Sequence, residues 1–235
     1  MISGVDVSIL LSCRGLGKVF PRSGGDLTVL GGCDFDLAAG ESVAVMGASG
    51  AGKSTLLNLL SGLDDASAGV IEFRGARLSG APPSVWSEWR REHVGFVFQF
   101  HFLLPDFTAL ENVLLPVRMA GRVDDAAVAR AQELLTRMGL SGRFDHLPGE
   151  LSGGEEQRVA VARAFMNAPA VIMADEPTGN LDRSLSAELA DILFDLAHAS
   201  GSSLIVVTHS HALAARADRR LLLAEGRLEA DGASD

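Results

Sequence analysis

The segment Gly47-Ala48-Ser49-Gly50-Ala51-Gly52-Lys53-Ser54 fits the pattern G-x-x-x-x-G-K-[ST], whose glycines let successive backbone N–H groups turn toward a phosphate. A loop of this kind binds a nucleoside triphosphate, with Lys53 pairing the β- and γ-phosphates and Ser54 holding Mg²⁺. Further along, Val171-Ile172-Met173-Ala174-Asp175-Glu176 is an apolar run ending in two carboxylates, which puts acid at the carboxyl edge of a sheet. There Asp175 would hold the metal, through water, and Glu176 would take a proton from the water attacking the γ-phosphate. Base catalysis of that kind contributes about 10² to 10⁴ in rate. Between the two lies Leu151-Ser152-Gly153-Gly154-Glu155-Glu156-Gln157-Arg158, where a Ser-Gly-Gly cap feeds a helix and its amides and hydroxyl form a second anion site. Such a tripeptide caps many helices, so its weight comes from the other two motifs.

These residues need a sheet edge and helix starts to hold them. Val43 to Met46 precedes the phosphate loop, and Leu56-Leu57-Asn58-Leu59-Leu60 continues as a helix whose positive end faces the anion. Short apolar runs recur at Val43–Met46, Val70–Phe73, Val94–Phe98, Val171–Ala174 and Leu204–Thr208, an alternation with helices that predicts a mainly parallel sheet. The first forty residues read instead as an antiparallel β layer: Val7–Leu11, Gly15–Phe20, a turn at Ser23-Gly24-Gly25, then Thr28–Leu37. Val128, Ala131, Leu134, Leu135 and Met138 share one helical face that Gly139 ends, and a second helix should run from Gly154 to Asn167 before Pro169. Residues from about 100 to 167 therefore read as a helical insertion in one 235-residue α/β domain.

Bulk composition excludes several classes. Acids outnumber bases 30 to 20, a formal charge of −10, which disfavours a nucleic-acid partner. No apolar stretch approaches the ~20 residues of a membrane-spanning helix. Leu10-Leu11-Ser12-Cys13 imitates a lipoprotein processing site but has no basic n-region before it, so it is not read as a signal. Cys13 and Cys33 are too few for a disulfide framework and read as packed, reduced thiols. A lone histidine is more often structural than catalytic, and His93, His101, His146, His198 and His211 are read so. His209 differs because it ends an apolar run at the sheet edge where the nucleotide should lie.

Taken together, the motifs resemble those of the ATP-binding subunits of ABC transporters. The phosphate loop at 47–54 with Thr55 after it, Gln99 behind a strand, the LSGG signature at 151–154, Asp175-Glu176, Gly179-Asn180-Leu181-Asp182 and Thr208-His209 stand in that family's order and span nearly the whole chain. The resemblance implies a P-loop NTPase fold and a head-to-tail homodimer that sandwiches two ATP molecules with Mg²⁺. Each ATP would be held by residues 47–55 of one copy and by Ser152, Gly153 and Gly154 of the other. Gln99 would sense Mg²⁺ and the membrane partner, Asp182 would signal across the dimer, and His209 would contact the γ-phosphate. Two positions depart from the family's pattern. Phe20 stands where a tyrosine commonly stacks on adenine, and the chain has no tyrosine, though phenylalanine still offers a π face. Glu155-Glu156 replaces the commoner glutamine-rich pair; acids there suit the helix dipole, but their charge beside a γ-phosphate has no account in the sequence.

The stretch Gln99-Phe100-His101-Phe102-Leu103-Leu104-Pro105-Asp106-Phe107-Thr108-Ala109-Leu110-Glu111-Asn112 narrows the resemblance. Its rings either pack the helical region or line a groove for a partner's short helix. It is similar to the branch of lipoprotein-releasing, macrolide-export and cell-division ATPases, and most of all to the lipoprotein-releasing type. That implies a peripheral motor on the cytoplasmic face of a bacterial inner membrane, bound to integral membrane subunits. A cell-division regulator and a macrolide or peptide exporter stay open as alternatives. A DNA-repair ATPase with a signature motif needs a long coiled coil between phosphate loop and signature, and residues 54–151 leave no room for one.

Overall fold

The computed structural model describes residues 8–231, in two compact units. The first holds the described residues up to Glu88 and those from Val207 onward; the second is Trp89–Val206. Among the described residues no helix is long and apolar enough to cross a membrane.

In the first unit the chain runs β1 (Ile9–Phe20), β2 (Leu27–Ala38), β3 (Ser42–Met46), α1 (Lys53–Leu60), β4 (Ala68–Phe73), β5 (Ala76–Arg77) and the start of α2 (Pro83–His93). It closes, after the second unit, with α7 (His211–Ala214), β9 (Arg219–Ala224) and β10 (Arg227–Ala230). The expected antiparallel layer is present in the order β2-β1-β4-β5. Val7 lies outside the described residues, but the two strands expected around it and from Gly15 are a single β1. Its register against β2 shifts between Cys13 and Leu16. Gly15 sits in that irregularity with φ of 59°, and its N–H donates to Asp34 Oδ1 at 2.7 Å. Only a residue without Cβ takes that left-handed conformation at no steric cost.

The strand at Val70–Phe73 does not join the parallel sheet. β4 pairs antiparallel with β1, Leu11 opposite Phe73 and Cys13 opposite Ile71. Its burial alternates, with Ile71 and Phe73 buried while Val70 and Glu72 are half-buried. One dry face and one wetter face mark an antiparallel layer, whereas parallel strands are dry on both. Glu72 within the run is the residue that marks the difference. β3 shows the dry pattern, with Val43, Ala44 and Val45 fully buried, and it pairs parallel with β9.

The second unit continues with β6 (Val94–Val97), α3 (Ala109–Met119), α4 (Asp125–Arg137), a 3₁₀ turn at Pro148–Glu150, α5 (Gly153–Ala164), β7 (Val171–Asp175), α6 (Arg183–Ser200) and β8 (Ser203–Thr208). The chain returns to the first unit within β8, between Val206 and Val207. β6 and β7 are parallel neighbours, and β8 lies beside β7. Ile172, Met173, Leu204, Ile205 and Val206 are all fully buried, each contributing about 1.5–3 kcal/mol relative to exposure. Gly139 follows α4 with φ of 76°, the left-handed stop its position predicts. α5 ends at Ala164 rather than Asn167, because its last turn tightens: Phe165 N–H bonds back to Ala162 O and Met166 N–H to Arg163 O. Arg130 of α4 then takes up the exposed helix end, its guanidinium donating to the carbonyls of Met166 and Phe165.

Candidate nucleotide site

In the first unit the phosphate loop joins β3 to α1, and its shape rests on missing side chains. A Cβ on Gly47 would stand 2.6 Å from the Leu223 carbonyl oxygen, and one on Gly52 would meet Val29 Cγ1 at 2.9 Å with φ at 100°. Gly50, with φ of 78°, has open space around it, so only its backbone demands glycine. Lys53 is buried and its Nζ donates to the carbonyls of Gly47 at 2.8 Å and Ala48 at 3.0 Å, so the ammonium lies folded along the loop. Ala48, Ser49 and Ser54 are exposed, and Thr55 is half-buried. No acidic residue occupies the first turn of α1, which leaves its positive end to an anion. Loop, lysine and helix end together suit a polyphosphate.

Phe20 ends β1 with its ring partly exposed and the Lys18 ammonium 4.9 Å from the ring centroid. Lys18 is fixed by Asp64 Oδ1 and the Asp65 carbonyl, both at 2.7 Å, so the cation reinforces an aromatic platform. His209 is exposed just past β8. Its turn is held by Ser210, whose N–H donates to Thr208 Oγ1 and whose hydroxyl accepts from Leu213 N–H.

The second unit carries the acids, Gln99 and the signature. Asp175 is the last residue of β7 and Glu176 follows with φ of 44°. A non-glycine residue there is uncommon, and a residue before proline ordinarily takes extended backbone. Such strain costs about 1–3 kcal/mol and clusters where geometry matters to function. The turn that holds it closes through Gly179 N–H to Glu176 O at 3.0 Å. Gln99 is tied reciprocally to Asn180: Gln99 Nε2 donates to Asn180 Oδ1 at 3.1 Å, and Asn180 Nδ2 donates to Gln99 O at 2.8 Å. Asp182 N-caps α6, with Oδ1 accepting from the amides of Ser184 and Leu185. The structure thus joins Gln99 to the Gly179–Asp182 loop within this unit.

Glu155 and Glu156, opaque in the sequence, acquire a reason. Ser152 N-caps α5, and Glu155 completes a capping box: its Oε2 accepts from Ser152 N–H and Ser152 Oγ–H, both at 2.9 Å, while Ser152 Oγ accepts from Glu155 N–H. Its Oε1 accepts from Arg143 Nε at 2.9 Å. The Ser152 amide first, then the Arg143 guanidinium and the Ser152 hydroxyl, hold the Glu155 carboxyl down at about 2. Its charge is therefore committed to its own neighbours rather than directed at a ligand. Glu156 Oε2 lies 3.2 Å from His101 Nδ1, which links the signature helix to the aromatic stretch. Gly153 and Gly154 head the helix, and a Cβ on Gly153 would meet nothing within 4 Å.

That stretch is clamped from behind. Asn112 is fully buried; its Nδ2 donates to the carbonyls of Leu104, Phe107 and Thr108, and its Oδ1 accepts from Leu104 N–H. Arg163 donates to the carbonyls of His101 and Phe102, both at 2.8 Å, and burial pushes its guanidinium below the usual arginine range. Phe102 takes φ of 46°, in the left-handed region like Glu176. Phe98 and Phe102 meet edge to face at 5.5 Å, while Phe100 and Phe102 are about two-thirds exposed. The rings differ in burial: Phe98 and Phe107 are half-buried, and Phe100 and Phe102 reach solvent. Arg143 and Arg163 lie in no sequence motif, and Asn180 and Asn112 lie within quoted segments whose spacing gives them no role. A signal did exist for two caps, since Ser152-x-x-Glu155 and Thr108-x-x-Glu111 both spell a capping box.

Known proteins align with this arrangement. The ABC transporter family matches residues 30–179. The lipoprotein-releasing system ATP-binding protein LolD of Chromohalobacter salexigens is 46% identical over 223 residues, covering 95% of this chain and 94% of its own. LolD of Bacteroides fragilis is 48% identical over 207 residues, 88% and 96% of the two chains. Among solved structures, the dimeric bacterial ABC transporter cassette MJ0796 superposes with a TM-score of 0.87 at 34% identity, covering 94% of this chain and 97% of that one. A dimeric post-hydrolysis state of the same cassette, bound to ADP and Pi, superposes with a TM-score of 0.86 at 33% identity. With identity at this level from end to end, on a matching fold, the chain belongs to the ABC transporter family.

Proposed function

We propose that the chain is the ATP-hydrolysing motor subunit of a lipoprotein-releasing transporter, bound peripherally at the cytoplasmic face of a bacterial inner membrane. The observation that carries this reading is the near full-length similarity to LolD proteins, at 45–48% identity. The whole chain works as one ATP-binding domain, with residues from about 100 to 167 as its helical part.

Residues 47–55 cradle the triphosphate, Lys53 leaving its loop carbonyls for the β- and γ-phosphates. Phe20 stacks on the adenine. Mg²⁺, when bound, neutralises charge on the β- and γ-phosphate oxygens, and Ser54, Asp175 and Gln99 are the residues that would hold it. Glu176 accepts the proton of the attacking water, and its strained backbone presets the carboxylate. His209 contacts the γ-phosphate. Ser152, Gly153 and Gly154 serve the nucleotide of a second copy, so two chains close head to tail around two ATP molecules, and Asp182 reports closure between them. Phe100 and Phe102 meet a short helix of the integral membrane subunits. Cargo never touches this chain.

The test is which integral membrane proteins copurify with the tagged chain from its native host. Subunits of a lipoprotein-releasing complex are expected; a division-complex subunit or an exporter subunit in their place overturns the assignment.

A further inference from the structure

Gln157 has no place in the roles above, yet it touches both arms of the hydrolysis machinery in the second unit. It is the fifth residue of α5 and only 1% exposed. Its Nε2 donates to the Phe98 carbonyl at 3.0 Å and to the Pro177 carbonyl at 2.8 Å. Phe98 immediately precedes Gln99, and Pro177 immediately follows Glu176. Two carbonyl acceptors fix which end of the amide is nitrogen, since the reverse orientation would set oxygen against oxygen. The other end, Oε1, is buried with no hydrogen-bond partner. A buried orphan acceptor is costly and rare in folded proteins. The fold tolerates it here, where the same amide pins the two peptides flanking the metal-sensing and water-activating residues.

We propose that Gln157 is a positioning residue for ATP hydrolysis: anchored on the signature helix, it holds the peptides beside Gln99 and Glu176 at one fixed separation, so that movement of α5 moves both together. Its action runs through Gln99 and Glu176, not through ATP. The contact to Pro177 also supports the turn in which Glu176 keeps its left-handed backbone, and the contact to Phe98 sets where Gln99 departs from β6. A methionine at 157 fills the same volume with neither donor, freeing both carbonyls.

The inference rests on the ATPase reading, so the full-length wild-type chain is assayed first with Mg²⁺-ATP; a chain that binds ATP and never turns it over defeats that reading and leaves Gln157 aside. With wild-type turnover in hand, Gln157→Met is expected to lower kcat by about tenfold or more while ATP affinity, read by binding without hydrolysis, stays within about twofold. Half-maximal Mg²⁺ should rise. The double variant Gln157→Met with Gln99→Ala should lose less than the product of the single losses, because one residue acts through the other. Gln157→Glu, which keeps the shape but faces the carbonyls with an acceptor, gives the same kcat loss and stands in should the methionine variant not fold. Unchanged kcat in a folded variant, a parallel loss of kcat and ATP affinity, or multiplicative losses in the double variant each overturn the proposal.

Discussion

The phosphate loop and the signature region are built by opposite means. Around Gly47–Ser54 the cradle is made of backbone: two glycines admit carbonyls and side chains that a Cβ would strike, and Lys53 is parked on its own loop. Around Ser152, Gln99 and Glu176 the frame is made of long polar side chains that cross from one segment to another and end on carbonyls, as Gln157, Asn112 and Arg163 do. Backbone cradles are stiff in themselves, whereas a frame of side chains moves as a set when the helix carrying it moves. The stiff half suits grip, and the jointed half suits a cycle of closure and release.

The sharpest way to test that division is to separate grip from turnover. Glu176→Gln should lose about 10² to 10⁴ in kcat and keep ATP binding, measured by steady-state hydrolysis beside equilibrium binding. Turnover at the wild-type rate would remove Glu176 from the reaction. Gly47→Ala should do the reverse and weaken ATP binding by about tenfold or more, since the new Cβ must displace the Leu223 carbonyl. Gly50→Ala, open but left-handed, should cost less, and equal losses at the two positions would show that space is not what Gly47 provides.

Smaller effects probe the jointed half. Asn112→Ala takes the side-chain partner from the Phe107 carbonyl and the Leu104 N–H, while the carbonyls of Leu104 and Thr108 keep backbone donors, and the loss should cost about 1–3 kcal/mol in a denaturant titration. ATP binding at the backbone cradle should be unaffected, and weakening there would blur the contrast. The smallest change is expected from Glu155→Gln. Because the folded carboxyl is held at about 2, below its ordinary value, its stabilisation is complete above pH ~4.5 and is lost as pH falls toward ~2. The variant should therefore melt a few degrees below wild type at pH 7, with the gap closing through that acid window; a gap independent of pH would assign it to shape rather than charge.

The same contrast separates the features that are local in sequence from those that tertiary packing makes. The phosphate loop, the signature and the acid pair are local patterns, so residues 47–55, 151–154 and 175–176 stand out as motifs in the sequence, and the antiparallel layer was legible there too. Burial on one face, seen only when Glu72 is weighed against Ile71 and Phe73, moved β4 out of the parallel set. Arg143 lies twelve residues from Glu155, Gln157 twenty from Pro177 and Arg163 sixty-one from Phe102. Nothing in a single chain's spacing announces such pairings, because each depends on where tertiary packing brings a carbonyl.

The N-terminal layer closes over two thiols that are neither linked nor accessible. Burial, with Cys33 beside it, pushes the Cys13 thiol up to about 12, which keeps it in the unreactive protonated form near neutral pH. The chain is thus born with a silent label. Single cysteines placed on the signature helix or the aromatic stretch can carry dyes without first removing the native pair, and any slow uptake of dye at Cys13 reports the opening of the β1–β2 layer itself.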